Sequence, residues 1–295
     1  MAEKLKVWAY NDVHNWGSRL AQAAASRGHD AHLFEDPRQP DQGFAFMHMH
    51  YHPQVRELHK RCMAVMAVNP AITLVPSYRM SVLYDDKAEQ ARQLSRWMPR
   101  THIFWTPNGA RNWLEKAGKY PFVSKAKEGS NVRLVETADA ANQEVRMTFS
   151  DIGLKLRYGM VQRGYLLWQD FVESQCDYRI LAIGSKRLMV KRDNKRPVTK
   201  ESSRTITPVT DLTDKETELA LAHADQFFDA EGIRWGAVDV MYDKVAGMFR
   251  VIETTVCWKM HLYEGARFIT SGRMTDRTGA DIWNVIVDEM EQGSF

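Results

Sequence analysis

Apolar and polar positions in "KLKVWAY" (4–10) and "AHLFED" (31–36) follow a strand pattern, and "GSRLAQAAASRGHD" (17–30) between them follows a helical one that stops at Gly28. Strand, helix and strand in that order predict a small parallel-sheet domain. A helix over 53–69 and a strand over 71–77, with Pro76 at its end, extend the domain to a boundary near residue 80. The pattern then changes. Helices are predicted over 85–99, closed by Pro99, and over 106–120, with Thr106 as cap and Pro107 in the first position. "PFVSKAK" (121–127) and "NVRLVET" (131–137) read as strands joined by "EGS". Strands of antiparallel character are predicted over 165–174, 178–193 and 236–255, and helices over 214–232 and 279–292. The chain therefore reads as an α/β (α+β) protein divided into 1–80, 81–165 and 166–295.

A chain of 295 residues exceeds one simple core, which agrees with two or three subdomains. Hydrophobic residues at 44% and charged residues at 26% are ordinary for a soluble globular protein. A net charge of +3 does not by itself point to a nucleic acid or a membrane. Three cysteines, at 62, 176 and 257, do not make a disulfide framework and suit a reducing compartment. No apolar run approaches a membrane span, and the first residues lack an apolar signal core, so a cytoplasmic protein without a membrane partner is expected. A homo-oligomer is left open.

"VIETT" (251–255) places Glu253 on the same strand face as Val251 and Thr255. A hairpin centred near residue 246, between "WGAVDVMYD" and "MFRVIETT", sets Asp239 opposite Glu253. Two opposed acids repel, and a Mg²⁺ ion between them would turn that repulsion into attraction; a solvent-facing pair on a wet sheet face has the same sequence. In "VSKAKEGSNV" (123–132), Lys125 ends a strand, and backbone N–H groups around Gly129 and Ser130 can cradle phosphate oxygens. The loop is neither a Walker A sequence nor GxGxxG, and a plain hairpin turn is the alternative. In "LLWQDFVES" (166–174), exposed backbone across Gln169, Asp170, Phe171 and Val172 can bond an adenine edge, and Asp177 downstream suits ribose hydroxyls; an edge strand leaving the core reads the same way. "HMHYH" (48–52) puts His48, His50 and His52 on one predicted strand face, with His59 on the next helix, either as a Zn²⁺ site or as polar surface near an interdomain cleft.

The order of these pieces across residues 85–260 resembles the ATP-grasp superfamily, closest to the RimK-type carboxylate–amine ligases. "DDK" (85–87) resembles its Asp–Lys helix start, "PFVSKAKEGSNVRLV" its phosphate loop, "WQDFVES…DYRILAIG" its linker and strand, and "AVDVMYD…RVIETT" its metal strands. The resemblance implies ATP and Mg²⁺ as cofactors, clasped between two sheets behind a small α/β domain. It implies Lys87 and Lys125 on the α- and β-phosphates, Gln169 to Val172 on adenine, Asp177 on ribose, and Asp239 and Glu253 on Mg²⁺. One of Lys191 and Arg192 would lie over the triphosphate or an acyl-phosphate, with Arg192 preferred as the catalytic residue. The family's third metal ligand, an Asn, falls on Thr255, a poorer ligand, and its following Pro-Gly is replaced by "VCWKM", which implies an unusual acceptor.

The implied activity joins a carboxylate to an amine, free or macromolecule-attached, through an acyl-phosphate, with release of ADP and phosphate. The alternatives are a kinase of the same fold and a non-catalytic nucleotide-binding protein with a degenerate metal site. Residues 186–204 hold eight Lys or Arg, and those other than Arg192 suit a solvated face or contact with a polyanion. Arg179 suits either a structural ion pair or substrate binding.

Overall fold

The computed structural model describes residues 4–84, 86–126, 132–155, 161–193 and 205–295. The chain begins with a parallel sheet of β1 (Lys6–Tyr10), β2 (Asp30–Phe34), β3 (Gly43–Phe46) and β4 (Ile72–Val75), in the order β2-β1-β3-β4. Helix α1 (Trp16–Ser26) returns β1 to β2, and α2 (Pro53–Met66), with Pro at its first position, returns β3 to β4. At Gly17 the first turn of α1 lies against the end of β1. A Cβ there would come within 1.8 Å of the Tyr10 carbonyl oxygen, so only glycine fits.

Residues 48–52 do not form the expected strand. The sheet strand is β3, which ends at Phe46, and the histidines fall in the irregular segment leading to α2.

Two short helices, α3 (Tyr78–Leu83) and α4 (Lys87–Gln93), connect this sheet to the rest. The helix expected over 85–99 is therefore confined to α4, whose N-cap Asp86 accepts from Glu89 N–H. Gln90 fastens it. The Gln90 side-chain amide donates to Thr254 O (3.0 Å) and accepts from Thr254 N (3.1 Å), as a neighbouring strand would.

The second sheet contains β5 (Thr101–Phe104), β6 (Phe122–Lys125), β7 (Val132–Val135) and β10 (Leu166–Asp170), in the antiparallel order β5-β10-β6-β7. Helices α5 (Pro107–Lys116) and α6 (Ala138–Thr148) cover it, and β8 (Leu154–Lys155) and β9 (Val161–Gln162) form a separate ribbon. Its core, with Phe122, Val135, Val145, Leu166 and Trp168, is separate from that of the other sheets. The expected division at 165 is thus displaced: β10 fills the second core with Leu166 and Trp168, and the third sheet starts only at Cys176.

The third sheet is built from β11 (Cys176–Ile183), β12 (Lys186–Asp193), β13 (Ile206–Pro208), β14 (Trp235–Asp243), β15 (Met248–Thr255), β16 (Arg267–Thr270) and β17 (Arg273–Thr278). The order is β15-β14-β11-β12-β16-β17, with β13 also on β12. The expected strand over 178–193 is a hairpin that turns at Gly184 and Ser185. Helix α7 (Lys215–Glu231) covers one face and ends at Gly232 in the left-handed conformation, as the sequence predicts. Helix α8 (Ile282–Glu291) packs beside α1, and the first and third sheets share one core.

The Gln90 contact carries a clear expectation. Gln90→Leu strands a buried N–H and a buried C=O of Thr254, so chemical denaturation should show a loss of about 2–4 kcal/mol.

Candidate active site

The antiparallel register sets charged residues side by side across one face of the third sheet. Asp239 pairs with Glu253 on β15 and with Arg179 on β11, and Asp177 pairs with Arg192 on β12. The hairpin reading therefore gave the right register for Asp239 and Glu253, with a bulge just after Asp239.

Asp239 is neutralised by arginines rather than left against its acidic neighbour. Arg179 grips it with two bonds, Nε to Oδ1 at 2.5 Å and Nη2 to Oδ2 at 2.7 Å, and Arg192 Nη2 lies 2.8 Å from Oδ2. Arg192 Nε also donates to Asp177 Oδ1. Burial alone would push the Asp239 carboxyl up; the two guanidinium groups outweigh it and hold the group well below the usual carboxylate range. Asp177 is thus engaged with Arg192 rather than presented as a free acid for ribose.

Glu253 has its own partner. Lys87, whose side chain is only 2% exposed, places Nζ 3.2 Å from Glu253 Oε1. Lys125 reaches over from β6 and donates to the Ile252 carbonyl at 2.9 Å. Burial pushes its ammonium down to about 8; Glu253 opposes that shift and Lys87 adds to it. Lys87, Lys125, Arg179, Arg192, Asp177, Asp239 and Glu253 thus gather at the junction of α4, β6 and the third sheet. This arrangement can hold a multiply charged anion, because four cations converge on one face with low dielectric behind them.

Lys191 is not among them. It lies on the opposite face, with Nζ 5.5 Å from the centre of the Tyr178 ring and 3.9 Å from Asp214 Oδ2. Alternation along β12 explains this: Arg192 and Lys191 cannot share a face. Thr255 ends β15, and its hydroxyl donates to Cys257 O and accepts from Cys257 N, closing a turn. Gln169 sends its amide to Thr101 Oγ1 (2.9 Å), and the Asp170 N–H bonds Arg100 O, so for these two it is the strand pairing that their groups serve. Phe171 and Val172 follow β10 in the irregular link to the third sheet. Gly129 and Ser130 lie outside the described residues.

Of the basic segment, Lys186, Arg187, Lys191 and Arg192 each face an acid, and Lys195, Arg196, Lys200 and Arg204 lie outside the described residues. No helix among the described residues is long and apolar enough to cross a membrane.

Among the described residues no group of three or more His, Cys, Asp and Glu could hold a metal ion, which removes the zinc reading of the histidines. His50 and His59 instead accept backbone N–H groups, from His52 and His50. Asp239 and Glu253 supply the number of carboxylates that a Mg²⁺ ion shared with phosphates needs, too few for a metal held by the protein alone, and both are engaged here by Arg179, Arg192 and Lys87.

Two further residues were not singled out in the sequence, Tyr263 at this face and Asp12 at the start of α1. Tyr263 is buried, its hydroxyl finds no hydrogen-bond partner among the described residues, and burial makes it harder to ionise beside Arg179, Asp239, Arg192 and Asp177. Asp12 accepts from His14 N and Gly17 N at the start of α1, a local Asp-to-backbone pattern of the kind the "NDVHN" stretch would carry.

This architecture is the ATP-grasp fold. The chain superposes on the RimK-domain ATP-grasp protein of Sphaerobacter thermophilus with a TM-score of 0.59 and 18% identity, over 96% of this chain and 98% of that one. A RiPP-associated ATP-grasp ligase of Chryseobacterium gregarium, in complex with ADP and a leader and core peptide, gives 0.62 at 13% identity over 99% and 98%. The D-cycloserine synthetase DcsG gives 0.60 at 12% identity over 98% and 99%. No protein-family model and no curated protein matches the chain.

Two measurements check the electrostatics. Asp239→Asn leaves Arg179 and Arg192 without their shared anion and should cost about 3–5 kcal/mol of stability in urea titration. His48 and His59 are both pushed down to about 4, chiefly by burial, so the folded protein keeps them neutral while the unfolded chain protonates them near pH 6.5. The unfolded state then binds more protons, and stability should fall as pH drops from about 6.5 towards 4. Melting temperatures across that window should show the slope, and His59→Gln should flatten it.

Proposed function

We propose that the protein is an ATP-dependent ligase that activates a carboxylate as an acyl-phosphate and passes the acyl group to an amine, releasing ADP and phosphate. The observation that carries this reading is the convergence of Lys87, Lys125, Arg179 and Arg192 with Asp239 and Glu253 on one face, within an ATP-grasp fold. Structures of similar fold are described as ATP-grasp ligases, a macrocyclase and a synthetase, several with precursor peptides and two with Mg and ADP, which supports a peptide or small-molecule substrate and the use of Mg·ATP.

In this reading the nucleotide lies between the second and third sheets. Lys125 leaves Ile252 O and Lys87 turns from Glu253 to meet phosphate oxygens. Phe171 and Val172 offer backbone to adenine from the link between the sheets. Asp239 and Glu253 would hold Mg²⁺ with the phosphates, and the ion would neutralise charge that builds on the transferring phosphoryl group. Arg179 and Arg192, held at Asp239 in the free protein, would exchange that carboxylate for an anionic acyl-phosphate in the same space. Thr255 is assigned no metal role, because its hydroxyl serves the turn to Cys257.

The double arginine pairing on Asp239 favours one rival, a nucleotide-binding protein whose metal carboxylate is permanently engaged. Product analysis separates the readings. Incubation with Mg·ATP and a pool of carboxylates and amines should give ADP, phosphate and a condensed product. A phosphorylated product would indicate a kinase, and binding without turnover would indicate the rival.

Lys125 supplies a sharper check. Its free ammonium titrates near 8, and phosphate charge should restore it towards its ordinary value. ATP binding at pH 8.5–9 should therefore take up close to one proton, measured by calorimetry in buffers of different ionisation enthalpy. Lys125→Met should abolish the uptake and weaken ATP at least about tenfold, or 1.4 kcal/mol.

A further inference from the structure

Cys257 lies two residues beyond the end of β15 and is half-buried. Its Sγ is 3.4 Å from Nε2 of His48, which comes from the segment after β3. On the other side of the ring, His48 Nδ1 is 3.7 Å from Asp12 Oδ1, a charge-pair distance rather than a hydrogen bond. Three distant parts of the chain thus place a thiol, an imidazole and a carboxylate in a row.

Each member is held from outside the row. Asp12 accepts from His14 N and Gly17 N, both at 2.8 Å. His48 is 4% exposed and stacks on Trp16, with ring centroids 4.2 Å apart. The backbone of Cys257 is fixed on both sides by the Thr255 hydroxyl. Burial keeps His48 neutral, the form that accepts a proton; His14, His50 and His59 reinforce that, and Asp12 opposes it by favouring the imidazolium. A thiol beside a neutral imidazole backed by a carboxylate is the arrangement that activates sulfur as a nucleophile. Cys257 follows Glu253 of the cationic face four residues further along the chain.

We infer that Cys257, with His48 and Asp12, is an acyl-transfer site that receives the acyl group of an acyl-phosphate as a thioester before an amine takes it; this rests on the ligase reading above. In the first step the thiol proton moves to His48 Nε2, sulfur bonds the acyl carbon, the carbon–oxygen bond to phosphorus breaks, and phosphate leaves with the proton. In the second, the amine nitrogen bonds the acyl carbon, the carbon–sulfur bond breaks, and the amine proton returns to sulfur through His48. No oxidant or reductant is needed. The other two cysteines are poor competitors, because burial raises both thiols, that of Cys176 to about 11 with Glu216 adding to the effect.

Acetyl phosphate tests this without nucleotide. Intact-mass and peptide analysis of the whole protein should find one acetyl group, labile to neutral hydroxylamine, on Cys257. It should be absent in Cys257→Ala and form about a hundredfold more slowly in His48→Gln. Asp12→Asn carries the same test if His48→Gln does not fold, and the ratio of Cys257 to Cys62 labelling in the unaltered protein needs no variant. Equal labelling of Cys62 and Cys257, or a rate unchanged in the folded variant, overturns the inference. ADP release from Mg·ATP, measured on the same sample, separates the two readings. Release without acetyl-Cys257 removes the thiol site and keeps the ligase. Acetyl-Cys257 without release supports the thiol site and removes the ligase.

Discussion

The Asp239 carboxylate, buried between the guanidinium groups of Arg179 and Arg192, organises the face on which the rest depends. A lone anion there would be driven to take up a proton, and two lone arginines would repel each other. Together they are tolerable, and Asp177 completes the set by accepting from Arg192. Such a buried network contributes little net stability compared with a well-packed apolar cluster of the same volume. In the proposed ligase its value lies in orientation: the charges are already desolvated and aimed, and an incoming phosphate or carboxylate would exchange one partner for another. Lys87 on Glu253 repeats the principle on the neighbouring strand.

Much of this was legible where one residue's environment follows from strand alternation. The symmetry of "AVDVMYD" and "RVIETT" about their turn is enough to set Asp239 beside Glu253, and the structure has that register. Their partners were not legible, because Arg179 and Arg192 arrive from strands whose order in the sheet is a tertiary fact. Lys191 and Arg192 illustrate the limit: two adjacent basic residues must point to opposite faces, and charge alone does not say which one faces the site. Thr255 has the right parity for a ligand, but the turn that captures its hydroxyl lies beyond the strand.

The histidines of "HMHYH" failed for a different reason. Their alternation imitates a strand, while the real strand is the four-residue "GFAF" just before them, too short to announce itself. β5 (Thr101–Phe104), squeezed between α4 and α5, was missed as well. The row from Asp12 through His48 to Cys257 could not be read at all, since it exists only once the first and third sheets share a core.

The separateness of the second sheet's core has a mechanical meaning. Gln90 locks α4 to β15, so Lys87 and Glu253 ride on one rigid jaw, while Lys125 rides on the other. The bond from Lys125 to the Ile252 carbonyl acts as a latch across the gap between them. A phosphate that took this ammonium, as the proposed function has it, would exchange the bond to Ile252 for one to itself, so the same amine would tie the two parts together in either state.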